Sequence, residues 1–174
     1  MPTIFSHAIL AGAIGASARP TTLSSRFWIL TTLCAIVPDF DVISFPLGFS
    51  YGSLFGHRGI THSVFFALLT GLVVASIFFA RAQKAKWKLA LYFAGVTFSH
   101  PLLDMLTNGG LGVALFAPFS NARYFLPWRP IQVSPIGVGF FSERGVAVII
   151  SEFLWIWLPS AALVGVSQLV RRKR

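Results

Sequence analysis

Acidic residues are nearly missing from this chain. Its 174 residues include five, Asp39, Asp41, Asp104, Glu143 and Glu152, against fourteen Lys and Arg. Cysteine occurs once, at Cys34, which excludes an internal disulfide and any thiolate metal cluster; the apolar run around it makes it a small buried hydrophobe. Charged residues amount to 11%, too few for a soluble domain of this length. No basic stretch precedes the first apolar run, and Arg19 follows it, which is the wrong order for a cleaved signal peptide. Internal repeats and low-complexity tracts are absent as well.

What is present is apolar. Hydrophobic residues make up 55% of the chain, and the mean hydropathy is +0.75. These values describe an integral membrane protein, read here as a single domain over residues 1–174. The net charge of +9 would suit nucleic acid, but the placement of the charge excludes that partner. Arg19 and Arg26 flank one connection, Arg81, Lys84, Lys86 and Lys88 fill another, and Arg171, Arg172, Lys173 and Arg174 close the chain. Ten of the fourteen basic residues therefore sit at the ends of apolar segments, as the positive-inside rule requires.

Five apolar segments can be drawn, at about 4–18, 23–37, 63–80, 87–106 and 146–170, with a kink expected at Pro159 in the last. The expected fold is all-α: a polytopic membrane bundle of about five helices with an outer loop region. Placing the Arg19/Arg26 connection in the cytoplasm puts all three basic clusters on that side and the N-terminus outside. The first two segments are short, since fifteen helical residues reach only about 22 Å. Residues 108–142 are too polar and too rich in Pro and Gly to span; they form an outer loop, with extended pieces expected around Ala122 to Leu126.

In this topology every histidine (His7, His57, His62, His100) and every aspartate falls in the outer half. Ionisable groups at membrane depth are costly and mark function. His100 and Asp104 are four apart and share a helix face. Asp39 and Asp41 follow a proline-terminated helix, where turns can aim carboxylates inward. His57 and His62 bracket Gly59, which lets their loop fold back. The expected ligand set is His7, Asp39, His57, His62, His100 and Asp104. Imidazole and carboxylate without thiolate suit zinc, manganese or iron, and zinc is the expected ion. Asp41 is expected to orient a ligand or serve as base. Glu143, beside Ser142, caps a helix start, and Glu152 pairs with an arginine inside the bundle. Arg58, Arg123, Arg129 and Arg144 are the basic residues left on the outer side; Arg58, Arg123 and Arg129 are expected to meet substrate, because a guanidinium fork binds phosphate bidentately.

The pieces "FSHAIL", "VPDFD", "GHRGITHS", "SHPLLDMLTNGG", "RYFLP" and "SERG" stand in order from residue 5 to about 145. Together they resemble the membrane-bound metal-dependent hydrolases of the bacterial inner-membrane protein YdjM type. That family often places a histidine directly after the second aspartate of the PDxD motif, where this chain has Val42. More loosely, His100 and Asp104 are similar to a pattern in zinc-dependent phospholipases C, which implies phosphoester hydrolysis. The expectation is a metal-dependent hydrolase in the bacterial inner membrane, with its site facing the periplasm, acting on a lipid or lipid-linked phosphoester. A metal or proton carrier and a non-enzymatic protein with a structural ion are the other readings. The polar groups lie all in one layer, with no trail to the cytoplasm, which counts against a carrier.

Overall fold

The structure, a computed structural model, describes residues 1–18, 24–82, 84–135 and 137–173. Arg19, Leu23 and Arg174 lie outside the described residues. Among those described, regular structure is helical, and β pairing is confined to two isolated bridges. The helices are α1 (Ile4–Ser17), α2 (Ser25–Ile36), α3 (Val64–Phe78), α4 (Lys86–Met105), α5 (Glu143–Glu152) and α6 (Leu158–Arg172).

Two continuous helical stretches are long and apolar enough to cross a membrane. They are Ser25–Ser44, where α2 runs on into a 3-10 helix (Val37–Ser44), and Glu143–Arg172, where α5 and α6 join. Helices α1 and α3 are apolar but shorter. The expectation of five spanning helices is thus met only in its helical class and in two of its members.

Local chemistry sets the boundaries. Ser24 and Ser63 cap α2 and α3, their hydroxyls accepting from Phe27 N at 3.3 Å and Phe66 N at 3.0 Å. Pro38 has no N–H to give to the α2 ladder, and the chain tightens there into the 3-10 turns. The last stretch bends at a π turn, Phe153–Trp157, directly ahead of Pro159, whose ring and missing donor disrupt an α turn. Helix α1 has no cap of its own. Instead the Glu152 carboxylate accepts from Thr3 N, from Thr3 Oγ1 at 2.5 Å and from Ser6 Oγ at 2.6 Å. The expected Glu152–arginine pair is therefore replaced by a helix cap given across the bundle.

The core lies where α1, α2, α3 and α4 meet, around Ala11, Phe27, Leu30, Val74, Phe93 and Val96, with Cys34 buried among them. Helices α3 and α4 approach closely at Gly71. A Cβ there would stand 2.3 Å from Ala90 O and 2.5 Å from Ala94 N, so only glycine allows this packing. The bundle has two unlike ends. At one, Arg26 Nη1 donates to Phe78 O at 3.2 Å and Arg171 Nη2 donates to Ala16 O at 2.7 Å. At the other lie the start of α1, the end of α2, the start of α3 and the end of α4. Over this end folds the 108–142 segment, where Val113 and Tyr124 form one bridge and Thr107 and Ile131 the other.

Candidate metal centre

Three chain segments bring four acceptors to one point. Asp39 comes from the 3-10 helix after α2, His62 from a short 3-10 turn (Ile60–His62) before α3, and His100 and Asp104 from successive turns of α4. All four are buried, and each offers one ligand atom such that these atoms lie within 4.8 Å of one another. His100 Nε2 stands 3.2 Å from Asp39 Oδ1 and 3.2 Å from His62 Nε2. His62 Nε2 stands 3.2 Å from Asp104 Oδ2 and 3.8 Å from Asp39 Oδ1. A tetrahedron with bonds of about 2.0–2.1 Å has edges of about 3.3 Å, so the group could hold one ion.

The hydrogen bonds around these donors point the same way. His100 Nδ1 donates to Ala35 O at 2.7 Å, which leaves the Nε2 lone pair facing inward. His62 Nδ1 lies 3.1 Å from Asp41 Oδ2, so its Nε2 likewise faces the cluster. Both oxygens of Asp39 and both of Asp104 are buried without a hydrogen bond among the described residues. Apart from Arg58 Nε, 3.0 Å from Asp104 Oδ2, and the imidazoles of the group itself, no donor among the described residues meets these lone pairs, a costly arrangement unless a cation sits between them. Charge agrees: Asp39, Asp41 and Asp104 carry three buried negative charges against the positive charges of Arg58 and the protonated His62. Once His62 gives up its proton, the balance left over is what a divalent cation supplies. Burial alone would push the His62 imidazole down, but hydrogen bonds to Asp104 and Asp41, and their charges, hold it up at about 9.

Asp39 and Asp41 do not act together. Residues two apart on a 3-10 helix point about 240° apart. Asp39 faces the cluster, while Asp41 faces the loop, where Oδ1 accepts from His57 Nδ1 at 2.6 Å and Oδ2 from Arg58 N at 2.9 Å and Thr61 Oγ1 at 2.7 Å. His57 is thereby held on Asp41, outside the four. His7 stands beside them: its ring stacks on His100 with centroids 3.6 Å apart, and its Nε2 is 3.9 Å from Asp104 Oδ1. Neither of its ring nitrogens has a hydrogen-bond partner among the described residues.

Arg58 is fully buried and pointed inward, with a left-handed φ of 60° that only its many anchors sustain. Its Nε is 3.0 Å from Asp104 Oδ2, Nη1 donates to Gly109 O at 3.0 Å, and Nη2 donates to Thr107 Oγ1 at 3.1 Å. The next residue, Gly59, has no room for a side chain, since a Cβ would fall 2.2 Å from Leu54 O. Arg123 clamps the carbonyls of Tyr51, Ser53, His57 and Gly112. Arg129 is exposed, its guanidinium 4.9 Å from the Phe125 ring centre. Sequence reasoning did not single out Thr61 or Thr107, although both lie inside the quoted "GHRGITHS" and "SHPLLDMLTNGG". Their neighbourhood was the available signal.

A family model described as YdjM inner membrane protein matches residues 1–173. The chain belongs to this family. Inner membrane protein YbcI of Escherichia coli (strain K12) is 37% identical over 166 residues, which cover 95% of this chain and 96% of that protein. No solved structure matches. This YdjM-family chain is thus a membrane protein, and the four-donor group is its possible metal site.

Proposed function

We propose that this protein is a multi-pass inner-membrane hydrolase that uses one divalent cation, zinc by preference, to cleave a lipid or lipid-linked phosphoester at the periplasmic face. The observation that carries the reading is the convergence of the Asp39 and Asp104 carboxylates with two imidazole Nε2 atoms in one buried group. The phosphoester class rests on the looser resemblance of the His100–Asp104 pair. A cation bound there lowers the pKa of water and offsets charge on the phosphoryl oxygens.

The chain's own groups have distinct tasks. Asp39, His62, His100 and Asp104 hold the ion. Asp41 orients His62 and anchors His57. Arg58 braces Asp104, and since its nitrogens and those of Arg123 are spent internally, Arg129 is the one of the three expected substrate arginines left to meet a headgroup. His7 Nε2 would take a proton from water as its oxygen attacks phosphorus, and return that proton to the alcohol oxygen as the ester P–O bond breaks.

Purified protein should carry the metal, and His100→Ala or Asp104→Ala should lose most of it together with phosphate or headgroup release from bacterial lipids. Unchanged metal content in the double variant would remove the site. Four protein donors also describe a closed structural ion. His7→Gln separates the two: an enzyme keeps its metal and loses turnover, whereas a purely structural ion gives no turnover to lose.

A further inference from the structure

Two clefts flank the 3-10 helix after α2, one on each side. The first, of about 440 Å³, ends on Asp41. That carboxylate is already met by His57, Arg58 N, Thr61 and His62. The second, of about 380 Å³, runs between the start of α1, the same 3-10 helix and the 134–141 loop, and it reaches Asp39. Asp39 is 5% exposed, and neither of its oxygens has a hydrogen-bond partner. It is the one ionisable side chain lining this cleft among the described residues.

The walls are hydrocarbon. Phe5, Phe40, Val42, Phe140 and Phe141 form them, and at the mouth Phe5 is 63%, Phe40 57% and Phe141 87% exposed. Such a mouth is stable against lipid and unfavourable against water. The 3-10 register explains the division of labour. Residues three apart eclipse, so Val42 stacks behind Asp39 on the second cleft and Ser44 behind Asp41 on the first. A ligand entering the second cleft therefore passes apolar walls and meets an open metal ligand at the end.

We propose that this cleft seats the hydrocarbon chain of a membrane amphiphile, which reaches the ion sideways from the bilayer with its headgroup at Asp39. The proposal rests on the hydrolase reading and narrows it: the substrate is an amphiphile, and a water-soluble phosphoester lacks the part that the cleft binds. The volume lies within the ~300–1,000 Å³ of ordinary ligand sites.

The test is photo-crosslinking of the full-length protein in nanodiscs, using a single-chain lysophosphatidic acid with a diazirine in its acyl chain. Labelled residues are mapped by mass spectrometry. Labels should concentrate on Phe5, Phe40 and Phe140. Val42→Trp, which fills the cleft, should lower them by about tenfold, the effect of denying burial to two methylene groups. Leu47→Trp, in the other cleft, should leave them unchanged. Metal content should be unaltered in both. Should Val42→Trp lose metal, Phe5→Asp, which charges the mouth alone, replaces it. Labelling no greater than on the lipid-facing Leu68 and Leu72 of α3, or labelling indifferent to these variants, overturns the proposal. Crosslinking needs no turnover, so intact labelling without any phosphoester cleavage would overturn the catalytic reading and leave the cleft standing.

Discussion

A histidine buried among carboxylates is a proton site until an ion displaces the proton. His62 is held at about 9 in the metal-free protein, above its ordinary value of about 6.5. Its stabilising contribution is therefore complete below about 6.5 and lost as pH rises through about 9. An incoming cation must expel that proton. Affinity should then improve about tenfold per pH unit up to about 9 and level off above it, with about one proton released per ion at pH 7. Calorimetry in buffers of different ionisation enthalpy counts the protons, and a pH-independent affinity would contradict the assignment. Arg58→Ala should destabilise the metal-free protein by about 3–5 kcal/mol, because Asp104 loses its buried partner. The loss should be smaller with the ion in place, as thermal unfolding in chelator and in excess zinc would show. At this scale the sequence was informative about type and poor about direction. His62, His100 and Asp104 were readable from motif and spacing. Asp39 was set in the ligand group and Asp41 apart from it, though the 3-10 register behind that division is not encoded by spacing; the parting of His57 from His62 was not legible, because it depends on Asp41 holding His57 Nδ1.

Among the elements, α1 depends most on its neighbours. Its first turn is capped by Glu152 at the end of α5, and Ser6, which donates to that carboxylate, also accepts from Trp157 Nε1 at 2.7 Å. Glu152→Ala would leave buried donors unmet, at about 1–3 kcal/mol each, and would loosen the turn that carries His7. The expected result is a lower melting temperature and reduced turnover, with metal retained, because the four donors lie on other elements. Metal loss equal to that of His100→Ala would show that α1 carries more of the site than its geometry indicates. The arginine expected for Glu152 did not follow from sequence because a carboxylate is satisfied as well by three short-range donors as by a cation. Those donors lie some 150 positions away in the chain.

For the whole molecule, the polar cluster and the basic ends occupy opposite poles, and in the orientation proposed above, which follows the positive-inside rule, the pole with the candidate metal site faces outside. In a Cys34→Ser background, a membrane-impermeant thiol reagent should label Ala122→Cys in intact cells and spare Lys84→Cys; the reverse pattern would place the site in the cytoplasm. Helix class, the poles and the positions of the first four helices within about two residues were legible, because apolar run length and charge placement are local properties; the last segment, expected at 146–170, instead begins at Glu143 and is divided by the π turn. The paths of the loops were not, since Arg123 fixes them through backbone carbonyls that any sequence would offer. The distribution of donors along the chain also sets an order of assembly. Asp39 and His62 emerge early, but His100 and Asp104 arrive only with α4, so a nascent chain that stops short of α4 holds half of the donors. Ion capture at the proposed site would thus be a late event in biogenesis, and cells starved of the ion should accumulate an inserted chain whose α4 remains open to proteolysis.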